Sequence, residues 1–259
     1  MAATQHDKAE QFRALHRGEC FVIPNPWDAG SARALAGLGF SALATSSGAA
    51  AGVLGRRDGE LTRDEALAHA RVIVQATDLP VAGDLENGFG DAPADAALCI
   101  RLAGECGLVG GSIEDAGNDR RLYDFAHAVE RVAAASEAAR ALPFPFTLTA
   151  RAENFLRGKP DLDDTIARLQ AFERAGADVL FAPALPDLEA VRAVCAAVGK
   201  PMNYMIGMKG SAFSVAELRA AGVKRISLAT SLYRAAMAGM LQAAREVRGQ
   251  GSFGYVERL

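Results

Sequence analysis

The 259-residue chain has little of what several large protein classes require. Its four cysteines (Cys20, Cys99, Cys106, Cys195) form no C-x-x-C pair and no other zinc spacing, so neither a disulfide framework nor a thiolate metal site is expected. Cys99 and Cys106, seven apart in a helical pattern, read as small core residues. The four histidines (His6, His16, His69, His127) fall in an N-terminal arm or in helical stretches. None ends a strand, which speaks against a histidine triad or a histidine-held metal. Positive charge is scattered: 28 Lys and Arg face 31 Asp and Glu, and no lysine stands between Lys8 and Lys159. Without a basic stripe, nucleic acid is not an expected partner. No apolar run reaches membrane-spanning length, and the polar first 14 residues lack the apolar core of a signal peptide. A cytoplasmic chain away from membranes is expected.

What is present is a large apolar fraction, half of all residues, arranged in a repeat. A short β-rich run, a polar loop, an amphipathic helix and a glycine recur eight times, with β-rich runs at 21–24, 41–45, 81–86, 109–114, 146–150, 179–182, 201–206 and 226–229. Gly39, Gly107, Gly176 and Gly222 each stand between a helix and the next run, where a left-handed residue is wanted. Thr62-x-x-Glu65 and Ser214-x-x-Glu217 are capping boxes, and the exit at 46–57 reads as a long loop. No glycine fingerprint for dinucleotides follows the first run, so eight such units point to a single (β/α)8 barrel over 1–259, behind a short N-terminal arm.

Barrel chemistry gathers where strands end. Those ends read Asn25 and Trp27, Ser46-Ser47-Gly48, Asp84 and Glu86, Glu114, Arg151 and Glu153, Asn203, and Thr230-Ser231. Asp84 and Glu86 alternate onto one face of a strand, about 7 Å apart. Together with Glu114 they form an oxygen-only set suited to a hard ion, Mg²⁺ first and Mn²⁺ possible, against the plainer reading of solvated loop carboxylates. Arg151 reads either as a bidentate clamp on an anionic substrate group or as an ion-pair partner of Glu114 or Glu153. Ser46, Ser47 and Gly48 offer hydroxyls and N–H groups to an oxyanion. Trp27 could wall a pocket or cap the barrel, and in the loop 54–60 Asp58 is the residue to watch.

These residues fall in an order that resembles a known family. Pro-x-x-Trp-Asp-Ala-x-Ser-Ala (24–32), Thr-Ser-Ser-Gly (45–48), Asp-Gly-Glu-Leu (58–61), Gly-Asp-x-Glu-x-Gly-x-Gly (83–90), Ser-Ile-Glu-Asp (112–115) and Thr-Ala-Arg-Ala-Glu (149–153) are similar to motifs of the isocitrate lyase/phosphoenolpyruvate mutase superfamily. The resemblance implies a barrel whose last helix is exchanged between subunits, usually in a dimer of dimers. It implies Mg²⁺ near Asp84, Glu86 and Glu114, held largely through water, with Asp58 beside the substrate. It also implies that Ser46, Ser47 and Gly48 hold the carboxylate or oxo group of a 2-oxo acid and Arg151 its other anionic end; Asn203 and Trp27, from their places at strand ends, are further expected substrate contacts. The shared chemistry makes or breaks a C–C or C–P bond beside an enolate. One departure bears on activity: lyase members carry Lys-Lys-Cys-Gly-His after the fourth strand, whereas this chain has Ala116-Gly117-Asn118-Asp119-Arg120-Arg121. The expectation is therefore a Mg²⁺-dependent lyase acting on a small 2-oxo acid, with oxaloacetate-like decarboxylation as the concrete reaction and the enolate protonated by water or by a loop residue, Asp119 or Arg121. A phosphonopyruvate mutase or hydrolase and a catalytically silent dicarboxylate binder are the alternatives.

Overall fold

Short runs of apolar and small residues form the strands, because each is buried on both faces and needs no alternation. They are β1 (Phe21–Ile23), β2 (Leu43–Ala44), β3 (Val81–Asp84), β4 (Gly110–Glu114), β5 (Thr147–Arg151), β6 (Val179–Phe181), β7 (Met202–Met205) and β8 (Arg225–Ser227). In this computed structural model, which describes residues 3–207 and 213–258, all eight are parallel, in the order β1-β8-β7-β6-β5-β4-β3-β2. The seam between β1 and β2 carries one backbone bond, Ala44 N–H to Pro24 O at 3.0 Å. Asn25 braces it from inside, donating to the Thr45 carbonyl (2.8 Å) and accepting from the Leu228 N–H (2.9 Å). The result is the expected (β/α)8 barrel.

Among the described residues ten α-helices surround it: α1 (Gln5–Leu15), α2 (Ala29–Gly37), α3 (Ser47–Val53), α4 (Arg63–Ala76), α5 (Pro93–Glu105), α6 (Phe125–Arg140), α7 (Leu162–Arg174), α8 (Leu188–Ala197), α9 (Val215–Ala220) and α10 (Ser231–Gln250). Both expected capping boxes form, Thr62 with Glu65 and Ser214 with Glu217. The main core lies between helices and strands, around Leu43, Ile73, Ile100, Ile113, Leu148 and Phe172.

Three local readings need correction. The N-terminal arm is mostly helix: α1, boxed by Thr4 and Asp7, lowers Ala9 and Phe12 into the N-terminal mouth of the barrel. A Cβ at Gly110 would lie 2.7 Å from the Phe12 ring, so only glycine admits this plug. The exit at 46–57 is not all loop, because Ser46 caps α3 and Ala49, Ala50 and Ala51 bury its inner face. A seven-residue Ala/Gly helix is too short to show a period in sequence. Finally, β3 stops at Asp84, and Glu86 turns left-handed (φ 49°), so the two carboxylates are not neighbours on one strand face.

Candidate active site

A cavity of about 600 Å³ opens at the C-terminal ends of the strands and runs down into the barrel. Its lining brings together Asn25, Ser46, Ser47, Gly48, Asp58, Asp84, Glu86, Glu114, Arg151, Asn203 and Thr230 from positions far apart in sequence. Trp27 is not among the lining residues. Its ring packs edge-on against Tyr233 (centroids 5.8 Å apart) and its carbonyl meets His69 Nε2 at 2.9 Å, so it fastens the start of α10 to the barrel instead of walling the cavity.

The mouth is a charge network. Arg151, at the end of β5, donates through Nη1 to Asp84 Oδ1 (3.0 Å) and through Nε and Nη2 to Glu153 Oε1 (2.9 and 2.7 Å). Its Nη2 also lies 3.2 Å from Glu114 Oε2. Arg157, in the turn after β5, pairs with Glu114 (2.6 Å) and with Glu153 (3.2 Å). Both guanidiniums thus bridge Glu114 and the fully buried Glu153, and the ion-pair reading of Arg151 holds in this structure. Three carboxylates share its guanidinium. Asp84 is held further by the Ser47 N–H (3.0 Å), and its own N–H donates to Thr45 Oγ1 (2.9 Å). The first donor of the Ser46-Ser47-Gly48 turn is therefore spent on Asp84. A Cβ on Gly48 would lie 2.8 Å from the Thr230 methyl and 3.3 Å from the Asp58 carboxylate, so glycine lets Asp58 approach the turn.

Five carboxyl groups (Asp58, Asp84, Glu86, Glu114, Glu153) face two guanidiniums in this cluster, a surplus of three acidic groups. Arg120 and Arg234 also border the cavity but pair with none of the five among the described residues. The surplus shows in the acids: burial, then the charges of Asp84 and Asp58, push Glu86 up to about 7. Burial, with Glu153 and Asp84 adding to it against the two arginines, pushes Glu114 up to about 8. The Glu86 carboxylate makes no hydrogen bond or ion pair among the described residues. An oxygen-rich, over-negative mouth with one unpartnered carboxylate fits a hard divalent cation. Among the described residues no three His, Cys, Asp or Glu side chains close a direct cage, so the fit is to an ion reached in part through water.

Several residues here escaped the sequence reading. Arg157 stands one helical turn after Glu153, a spacing that could have flagged it. Arg225 lies one residue before the expected eighth run, 226–229, yet alternation puts it on the same inward face as Ser227. It donates to Asn203 Oδ1 (2.7 Å), while Asn203 Nδ2 donates to Ser227 (3.1 Å), so both ends of the Asn203 amide are engaged. In the loop after β4 the cavity meets Gly117, Asn118 and Arg120. The expected proton donors Asp119 and Arg121 instead sit together in solvent, 3.7 Å apart.

Comparison with known proteins agrees with this arrangement. The family model for phosphoenolpyruvate phosphomutase matches residues 12–248. A crystal structure of a lyase/mutase candidate from Burkholderia cenocepacia J2315 superimposes with a TM-score of 0.96 at 54% identity, covering 98% of this chain and 92% of that one. The chain belongs to the isocitrate lyase/phosphoenolpyruvate mutase superfamily. Two curated relatives are similar to it over most of their length. The 2-methylisocitrate lyase of Escherichia coli K12 is 30% identical over 243 residues, 89% of this chain and 81% of that protein. Oxaloacetate decarboxylase 2 of Pseudomonas fluorescens Pf0-1 is 28% identical over 252 residues, 95% of this chain and 86% of that protein.

Proposed function

We propose that this superfamily member is a Mg²⁺-dependent carbon–carbon lyase acting on a small 2-oxo acid through an enolate, with oxaloacetate-like decarboxylation as the concrete reaction; Mn²⁺ is an acceptable substitute. The observation that carries the reading is the surplus of carboxylates around an unpartnered Glu86 at the mouth of a deep cavity. Asp84, Glu86 and Glu114 would hold the ion, which supplies positive charge where the enolate oxygen develops. Arg151 and Arg157 would aim Glu114 and Asp84, because Arg151 bridges Asp84, Glu114 and Glu153 while Arg157 bridges Glu114 and Glu153. The Gly48 N–H, next to the donor that Asp84 uses, is placed for the oxo acid, with Asp58 beside it. The loop after β4 offers Asn118 and Arg120 and no Lys, Cys or His. Proton delivery to the product carbanion therefore falls to water in the cavity. That loop favours CO₂ loss, which needs no acid on the leaving group, over cleavage of a hydroxy acid, which requires a base for the hydroxyl. The Pseudomonas relative supports the same choice.

Turnover of a panel of C3–C6 2-oxo acids with and without Mg²⁺ tests the proposal, and no metal-dependent turnover on any of them overturns it. A companion measurement is thermal unfolding of Glu86→Gln. Relieving an uncompensated charge is expected to raise the Tm of the chelator-treated protein by about 2–4 °C, while abolishing both Mg²⁺-induced stabilisation and turnover. A Glu86→Gln protein that still responds to Mg²⁺ as the parent does would remove Glu86 from the metal set. Asn118 in the lining keeps a C–P bond reaction as the second reading, and ³¹P NMR on phosphonopyruvate distinguishes it. A silent dicarboxylate binder would show ligand-induced stabilisation with no product.

A further inference from the structure

The floor of the cavity carries the opposite charge from its mouth. Arg225 starts at the base of β8 and extends into the barrel interior, where it is 6% exposed. Its Nε donates to Asn203 Oδ1 (2.7 Å), Nη2 to Thr149 Oγ1 (3.0 Å), and Nη1 lies 3.2 Å from His16 Nε2. All three partners are neutral. His16 holds the Phe12 carbonyl at 2.9 Å through Nδ1, so Nδ1 bears the proton and Nε2 accepts from Arg225. Among the described residues no carboxylate lies within ion-pair distance of Arg225, in contrast to Arg151, Arg157 and Arg168, each of which holds two or more. Burial alone pushes its pKa down to about 9, with no anion to offset it.

A buried guanidinium held only by neutral groups is expensive unless an anion joins it. Were bracing Asn203 and Thr149 its whole purpose, an uncharged donor would serve at lower cost. Of the five guanidinium N–H groups, the three bonds above leave two, one on each terminal nitrogen, which is the complement that a carboxylate takes in a bidentate pair. Room for that carboxylate exists: Ala44 on β2, Ala82 on β3 and Gly111 on β4 line the cavity with minimal side chains, and β4 stands four staves from β8 across the barrel.

We infer that Arg225, with Thr149 beside it, is the recognition site for a second anionic group of the substrate, which enters floor-first and leaves its reacting oxo end at the acidic mouth. The inference rests on the reading of this cavity as the substrate site, and it narrows the substrate class to 2-oxo acids bearing a second carboxylate or a phosphonate. Three carboxylates already share Arg151, whereas the buried Arg225 has no carboxylate partner among the described residues.

Two measurements test it independently of turnover. Wild-type crystals soaked in bromide are expected to show an anomalous peak between the Arg225 terminal nitrogens; filled surface sites with none at the floor would overturn the inference. Calorimetric titration in Mg²⁺ buffer with malonate, methylphosphonate plus acetate as a split pair, and acetate alone reads the role of the second group. Arg225→Met is expected to weaken malonate by about 30-fold or more with acetate unchanged, and Arg225→Lys to restore part of that loss. Equal losses for malonate and acetate would mean a structural brace and overturn it. If Arg225→Met does not fold, the bromide result decides. If no oxo acid turns over, the lyase reading fails while both binding results still stand or fall by themselves.

Discussion

His16 was read as one of four histidines without a site, and it does stand outside the acidic mouth. It nevertheless lies beneath the cavity, T-stacked between Phe12 and Phe21 and bonded to both Phe12 O and Arg225. Burial, then the neighbouring Arg225 charge, hold its pKa down from 6.5 to about 3. The sign follows from linkage: between those values the unfolded chain takes up a proton that the folded chain refuses. The contribution of His16 is therefore full above its unfolded pKa and is lost as the pH falls from about 6.5 toward about 3. His16→Gln, which keeps a donor and an acceptor, is expected to flatten the decline in Tm between pH 7.5 and pH 5 (about two units around the free histidine value), whatever its effect on absolute stability. Parallel slopes for parent and variant would refute a neutral buried His16.

At the scale of elements, the loop after β3 is the part most dependent on tertiary support. Glu86, Gly88 and Phe89 have φ of 49°, 84° and 61°, and two of the three are not glycine. Such backbone persists only where surroundings over-determine it. Arg131, reaching across from α6, supplies that support. It donates to the carbonyls of Asn87 and Asp91, and to those of Gly90 (2.9 Å) and Ala92 (3.1 Å), while stacking 4.6 Å over the Tyr123 ring. Tyr123 in turn donates to Asp91 Oδ1 at 2.6 Å. Arg131→Met should therefore cost about 3 kcal/mol or more in urea unfolding, since several carbonyls lose a charged donor at once, and should speed proteolysis near Glu86. A loss below about 1 kcal/mol would show that the loop holds itself. None of this was readable beforehand. The spacing of Thr62 and Glu65 announces a helix start locally, whereas Arg131 and the carbonyls of 87–92 meet only after α6 has docked.

At the scale of the whole molecule, the barrel leaves most of α10 uncovered. No residue of α10 is buried, and Met240 and Leu241 are 53% and 44% exposed. The family resemblance implies that this helix is exchanged between subunits, and exposed apolar side chains at Met240, Leu241 and Val247 are what such an exchange would leave in one chain. Sedimentation at micromolar concentration is expected to report a dimer or larger, with Met240→Asp plus Leu241→Asp shifting it toward monomer and lowering its Tm. A monomeric parent would refute this expectation.

The sequence alone determined the barrel, because eight strand–helix units with glycine stops are a local, repeated signal with few ways to close. It also determined which strand ends are acidic, since charge at the end of an apolar run is visible residue by residue. Only the tertiary structure decided which charges neutralise one another. It gave Arg151 to three carboxylates, sent Trp27 outside the cavity and, among the described residues, left Glu86 without an ion-pair partner and Arg225 at the floor with only neutral ones. Ion pairing depends on distances of a few ångströms between staves far apart in sequence, and no spacing along one chain encodes those distances.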